Sequence, residues 1–97
     1  MKRRVRLLRV AQRDIDRAKA WWLAYGSAPT VLEAELANAY AFIAEFPHAV
    51  QLTSYRRRPD VRAYSLPVTG YRLFFVISDD DRTIYVLRLR HPRRRPV

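Results

Sequence analysis

The hydrophobic and polar positions of this chain change period twice, and the changes divide it into elements. From Arg3 to Val10 they alternate, with Val5 and Leu7 on one side and Arg4 and Arg6 on the other, which predicts a first strand. From Ala11 to Tyr25 the period becomes helical. Ile15, Ala18, Trp22 and Tyr25 form one stripe, and Arg13, Asp16, Arg17 and Lys19 lie outside it. Trp21 sits beside that stripe, either packed at the helix edge or exposed as an anchor for a partner. Gly26 is the expected stop. A short connection over Ser27 to Thr30 leads to a second helix. Thr30-Val31-Leu32-Glu33 reads as a capping box there, with Pro29 in the first turn as the alternative start. That helix runs to about Phe46. Leu32, Leu36, Ala39, Ile43 and Phe46 form its buried stripe, with Glu33, Glu35, Asn38 and Glu45 away from it. Helices joined so briefly form an antiparallel hairpin.

Pro47 closes the second helix, and a polar, basic loop follows from His48 to Asp60. Val61 to His91 then reads as three consecutive antiparallel strands. Tyr71 to Ile77 is apolar on both alternating sets except at Arg72, as a central strand would be. In the last strand Tyr85, Leu87 and Leu89 are expected on one face, and Arg88 and Arg90 on the other. Pro67 to Gly70 and Asp79 to Asp81 are turn-length breaks. The order is β-α-α-β-β-β. It predicts an α+β fold in which an antiparallel helical hairpin packs on a small, mainly antiparallel sheet, as a single domain over residues 1–97. The meander forms one wall of the core, with arginines gathered on its other side.

Charge changes this picture most. Nineteen basic residues stand against nine acidic ones, a net charge of +10, and all but Lys2 and Lys19 of the basic residues are arginine. Thirteen fall in three clusters: Lys2 with Arg3, Arg4, Arg6 and Arg9; Arg56 to Arg58; and Arg88, Arg90 and Arg93 to Arg95. One-signed clustering of this kind points to nucleic acid or an acidic protein as partner. Ninety-seven residues bury about 60–65% of their unfolded surface by size scaling, and two Trp, six Tyr and four Phe supply a core without staples. The absence of cysteine excludes disulfides and thiolate metal sites, and a reducing compartment, the cytoplasm, is the expected location. MKRRVRLLRV is too short and too interrupted for a signal peptide, and no segment approaches a membrane span of about 20 apolar residues.

Catalytic chemistry is sparse. Two histidines are too few for a multi-histidine metal site, only Gly26 and Gly70 are available for a phosphate loop, and Asp79 to Asp81 read as a hairpin. No cofactor and no metal are expected. One constellation remains: Arg62, Arg72, Arg88, Arg90 and His91 lie along three adjacent strands. A histidine among arginines can serve as acid or base in transesterification of an RNA 2′-hydroxyl while arginines neutralise the phosphate. Parity works against it, because the consecutive Arg90 and His91 point to opposite faces unless a bulge intervenes.

The order of elements, Val61-Arg62 opening the meander, Tyr71-Arg72-Leu73-Phe74-Phe75 at its centre and Val86-Leu87-Arg88-Leu89-Arg90-His91-Pro92-Arg93-Arg94 at its end together resemble the RelE/ParE superfamily. These are toxins of bacterial type II toxin–antitoxin modules. The helix-then-proline phrase Ala44-Glu45-Phe46-Pro47 is similar too. The resemblance implies a cognate antitoxin, acidic and folding on binding, in a toxin–antitoxin hetero-oligomer. Its mRNA-cleaving branch implies Arg72, His91, Arg90 and Arg62 as candidate catalytic residues. That branch carries basic residues where this chain has Ala63 and Ser65, and a tyrosine after the histidine where this chain has Pro92. The opening Arg62 and the ending His91-x-x-Arg94 are more similar to the ParE branch, whose characterised members poison DNA gyrase without cutting RNA. A ParE-like, non-enzymatic toxin is therefore the leading expectation. Arg62, Arg72, Arg88, Arg90, Arg93, Arg94 and Trp21 are its expected contacts with target or antitoxin. A ribosome-dependent mRNA interferase and a non-toxic basic nucleic-acid-binding module are the alternatives.

Overall fold

A computed structural model describes residues 2–26, 28 and 30–91. Strand β1 (Arg4–Leu7) leads into helix α1 (Arg9–Tyr25), helix α2 (Val31–Glu45) and a short 3-10 turn (Pro47–Ala49), followed by strands β2 (Arg62–Ser65), β3 (Arg72–Ile77) and β4 (Thr83–Arg90). The four strands form one sheet in the order β1-β4-β3-β2. Strands β2, β3 and β4 are the expected antiparallel meander, and β1 adds to β4 in parallel. Both helices pack on one face of the sheet. Ala11, Ile15 and Ala18 of α1 and Leu32, Leu36, Ala39 and Ile43 of α2 meet Leu73, Phe75, Ile84, Val86 and Leu89 in the main core.

β3 is apolar on both sides because both sides are covered. Leu73 and Phe75 enter the helix-side core, whereas Phe74 and Val76 join Val61 and Leu87 in a second buried cluster on the opposite face. The last strand departs from simple alternation. Phe75 pairs with Val86 but Phe74 pairs with Arg88, so Leu87 is an extra residue, a β-bulge. The bulge reverses parity along β4. Ile84, Val86 and Leu89 face the helices, and Tyr85 and Leu87 lie on the second face, so Tyr85, Leu87 and Leu89 do not share the face their spacing suggested.

The bulge also explains why β1 stops at Leu7 instead of running to Val10. The Leu8 N–H bonds the Val86 carbonyl as the last rung, the Leu8 carbonyl accepts from the Gln12 N–H, and the helix has begun. Beyond that point the edge of β4 is served by α1. The Asp14 carboxylate accepts the Leu89 N–H at 3.0 Å and the Arg88 guanidinium at 2.7 and 3.2 Å.

Several helix-end readings are corrected. Tyr25 is 75% exposed and Phe46 53% exposed, because each lies at or past the last turn, where the opposing sheet has ended. Ala11 takes the place in the buried stripe that the later start of the helix had denied it. Thr30 adopts a helical-region conformation with no side-chain cap, so the capping box does not form; Ser27 and Pro29 lie outside the described residues. Gly26 does close α1, and a Cβ there would stand 2.4 Å from the Trp22 ring.

Glu35 is the largest departure on α2. Its position suggested solvent, yet it is only 8% exposed, and its two oxygens accept the N–H groups of Val68 at 2.7 Å and Thr69 at 2.8 Å. It ties the β2–β3 turn to the helix, while Gly70 supplies the positive φ that the turn requires. Replacing Glu35 with Ala strands two donors and should destabilise the protein by about 2–4 kcal/mol in urea unfolding. Glu35→Gln, which keeps one acceptor, should cost about half as much.

The opposite end of the sheet is closed by another carboxylate. Asp81, in the β3–β4 hairpin, takes a forked pair from Arg3 at 2.9 and 3.0 Å and stands 3.0 Å from His48 Nε2. Arg3 also donates to the carbonyls of Ala44 and Glu45 at the end of α2. The Arg3 bond, then the His48 bond, hold the Asp81 carboxyl at about 2, below its ordinary 3.8. A depressed carboxyl contributes stability that is complete above the unfolded value and lost as protons are taken up. The urea midpoint should therefore fall as pH drops from about 4 through 2, and Asp81→Asn should flatten that fall.

Candidate functional site

Among the expected site residues, the sheet places Arg72, Arg90 and Arg88 on one face and sets Arg62 and His91 apart from them. Arg72 of β3 lies directly opposite Arg90 of β4 in the antiparallel register. Arg72 shares its face with Phe74 two residues on, and its guanidinium sits 5.2 Å from that ring's centre. Like charges placed directly opposite one another cost stability. Among the described residues no carboxylate pairs with either arginine; the polar contact of Arg72 is a long one, 3.4 Å to the Thr53 hydroxyl.

Arg88 is on the same face but is committed elsewhere. Its clasp with Asp14, which is 8% exposed on its side chain, raises the guanidinium pKa still further, and the Tyr55 phenol lies against it. Arg62 belongs to the other face. It pairs with Phe75 in the register, and its guanidinium donates to the Val50 carbonyl at 2.6 Å and the His48 carbonyl at 3.4 Å. His91 packs edge-on against the core residue Tyr71 at 5.1 Å, beside Gly70. Thus Arg62 and His91 do not converge with Arg72 and Arg90. The neutral Ala63 and Ser65 of β2 complete that face, opposite Phe74 and Arg72. Trp21 is half-buried and packs on Trp22 and Tyr25 at 5.5 and 5.7 Å, an aromatic group at the end of α1. Arg93 and Arg94 lie outside the described residues.

Spacing did not reveal the contribution of the 48–60 segment. Residues 51–53 run beside β2, with the Ala63 N–H donating to Gln51 and the Thr53 N–H to the Val61 carbonyl. The chain then turns back tightly, the Arg58 N–H bonding the Tyr55 carbonyl at 2.8 Å. Arg56 and Arg57 have φ of 46° and 63°. Two consecutive positive φ values at the centre of a four-residue turn define type I′, which favours Asn-Gly. An L-residue with a Cβ costs about 1–2 kcal/mol in this region. The turn lays the Tyr55 ring against Phe74 at 5.2 Å, and Arg56 over Tyr55 at 5.6 Å. Arg58 is paired with Asp60 at 3.0 Å. The only sequence signal was the triple arginine, which marks charge and says nothing of the turn.

No group of three or more His, Cys, Asp or Glu among the described residues is placed to hold a metal ion. No helix among them is long and apolar enough to cross a membrane. Arg72 and Arg90 give the sheet a cationic face.

Two helices packed on a four-stranded mixed sheet are also the architecture of solved toxin–antitoxin structures. The toxin–antitoxin complex RelBE2 from Mycobacterium tuberculosis contains a chain 23% identical to this one, with a TM-score of 0.69, covering 94% of this chain and 99% of that chain. The chromosomal ParDE system of P. aeruginosa gives 13% identity and 0.72 over 93% and 96%. The intact E. coli RelBE complex gives 17% and 0.67 over 95% and 99%. At these identities the likeness is one of fold. A search of curated proteins finds no match. The model of the family described as the ParE toxin of the type II toxin–antitoxin system parDE matches residues 5–96. This chain belongs to that family, and it is the toxin component of a type II module.

Removing Asp14 tests the clasp that sets this face. Asp14→Ala leaves the Arg88 charge and the Leu89 N–H without their acceptor, and should cost about 2–4 kcal/mol in chemical unfolding. That is less than a fully buried pair costs, because the Arg88 side chain keeps 22% exposure.

Proposed function

We propose that this toxin arrests growth by binding and poisoning DNA gyrase, without cutting RNA, and that a cognate antitoxin neutralises it in the cytoplasm. The observation that carries this reading is the division of the candidate nuclease residues between two faces. Transesterification of RNA needs an acid or base within hydrogen-bond reach of the phosphate-binding arginines. His91 lies against Tyr71 and Gly70, and Arg62 is bonded to the Val50 carbonyl. At the edge of β4 beside the arginine face, the Asp14 carboxylate of α1 is held by Arg88 and the Leu89 N–H. That face presents Arg72 and Arg90 as charge on a sheet, which suits recognition of an acidic surface. The antitoxin reading is supported by the solved relatives, which are themselves toxin–antitoxin complexes. In that reading its acidic, amphipathic segment folds on binding, with apolar side chains along the helical hairpin and carboxylates toward the arginines.

A second reading, ribosome-dependent cleavage of mRNA, draws support from the opposed Arg72 and Arg90, a pair suited to a phosphate. Inducing the chain alone in bacteria separates the two. The gyrase reading expects loss of plasmid supercoiling and broken DNA. Arrest with intact, supercoiled DNA and position-specific cuts in ribosome-bound mRNA would replace it with the second. The variant Arg72→Ala with Arg90→Ala should keep its circular dichroism, and about tenfold more of it should be needed to inhibit purified gyrase.

A further inference from the structure

The geometry points to a binding strip, across the sheet face that carries Arg72 and Arg90, for an extended acidic peptide. The Arg56-Arg57 turn forms its outer end. The strip is a chain of contacts: Arg56 lies over Tyr55, Tyr55 packs on Phe74, and Phe74 lies under Arg72, in steps of 5.2–5.6 Å. Arg90 stands opposite Arg72 at the inner end. Aromatic packing fixes where the guanidiniums of Arg56 and Arg72 stand, so less side-chain freedom is lost when an anion arrives.

Three features indicate the occupant. Among the described residues, Arg56, Arg57, Arg72 and Arg90 have no carboxylate partner, although Arg58 and Arg88 beside them are paired with Asp60 and Asp14. The turn holds two arginines at positive φ where Asn-Gly would relieve the backbone, so the side chains are present for a reason other than folding. The aromatic rings are already used: Phe74 is buried, and Tyr55 is packed by both Phe74 and Arg56, which leaves no open platform for stacking bases. That favours carboxylates over a polynucleotide. An extended peptide turns every second side chain to the same side, about 6.6 Å apart, so acidic residues at alternate positions all present their carboxylates to the strip. The toxin–antitoxin reading enters only in identifying the carrier of this segment as the cognate antitoxin. The placement of the strip is independent of the toxin's target.

The test is fluorescence anisotropy with the intact chain and a labelled peptide of alternating Glu and Ser, at several salt concentrations. A thymidine oligonucleotide of equal length serves as the competing probe. The double variant Arg56→Asn, Arg57→Gly should bind the peptide about tenfold more weakly and with a shallower salt dependence. It should also melt several degrees higher, because the turn is relieved. A variant that removes the same charge from the outer face of α1, Arg13→Gln with Arg17→Gln, should weaken binding by less than about twofold. Unchanged peptide binding by the turn variant would overturn the strip. So would equal losses in both variants, which would reduce the effect to net charge. Tighter binding of the oligonucleotide, sensitive to the turn, would replace the peptide with a polynucleotide. A lower melting temperature of the turn variant would remove the argument from strain. None of these readouts involves gyrase or growth, so they stand or fall apart from the proposed target.

Discussion

The extra residue in β4 is the constraint from which the arginine face follows. Without it, strict alternation from Ile84 and Val86 would carry Arg88 and Arg90 into the helix-side core and turn Leu89 outward. Burying two unpaired guanidiniums costs far more than one leucine regains. The bulge at Leu87 shifts the strand by one residue, so that Leu89 fills the core and Arg90 stands opposite Arg72. It also leaves the Leu89 N–H without a partner in β1, and Asp14 meets that need while holding Arg88. The end of β1, the start of α1, the clasp and the arginine pair are consequences of that one offset.

The few acidic residues show how a chain of net charge +10 remains folded. Asp14 holds β4, Glu35 the β2–β3 turn, Asp60 the end of the arginine loop and Asp81 both Arg3 and His48. Asp80 accepts from Ser78 and the Arg82 N–H inside its own hairpin, which also keeps its carboxyl below the usual range. Most of the negative charge is thus engaged in scaffold contacts, several with backbone donors that no arginine competes for. Asp14, Asp60 and Asp81 each pair with one arginine, and with nine acidic residues against nineteen basic ones the remaining surface arginines outnumber the carboxylates that could balance them. Net charge alone would not have distinguished this from an evenly mixed surface.

The element order, the helix-side stripe from Ile15 to Ala18 and from Leu32 to Ile43, and the doubly covered central strand were legible because each rests on a period repeated over several turns or residues. Interactions at single positions left no such trace. Glu35 sits where a charged residue ordinarily meets water, and only the folded β2–β3 turn supplies its two donors. Leu87 is apolar like Tyr85 and Leu89 two residues to either side, so an unbroken alternation of the three looked sound. The competing spacing of Ile84, Val86 and Leu89, two then three, was the trace of the bulge. Arg62 and Arg72 look equivalent as basic residues on adjacent strands, yet their registers with Phe75 and Arg90 place them on opposite faces. For the candidate site, then, charge was readable and convergence was not.

Two energetic costs of this fold fall on the same face. An arginine opposite an arginine disfavours the sheet by a few tenths of a kcal/mol to about 1 kcal/mol. Two consecutive left-handed arginines disfavour the turn that overlies the same face. On the helix side, by contrast, Arg3, Arg62 and the buried Glu35 are all satisfied by backbone or side-chain partners. A strained face that also lacks counter-charge gains more from a polyanionic ligand than a relaxed one, because binding removes the repulsion it meets. A ligand that binds only the folded chain also raises its stability in proportion to the logarithm of its concentration over its dissociation constant. A polyanion bound on the proposed strip would therefore couple stability to occupancy through the same arginines.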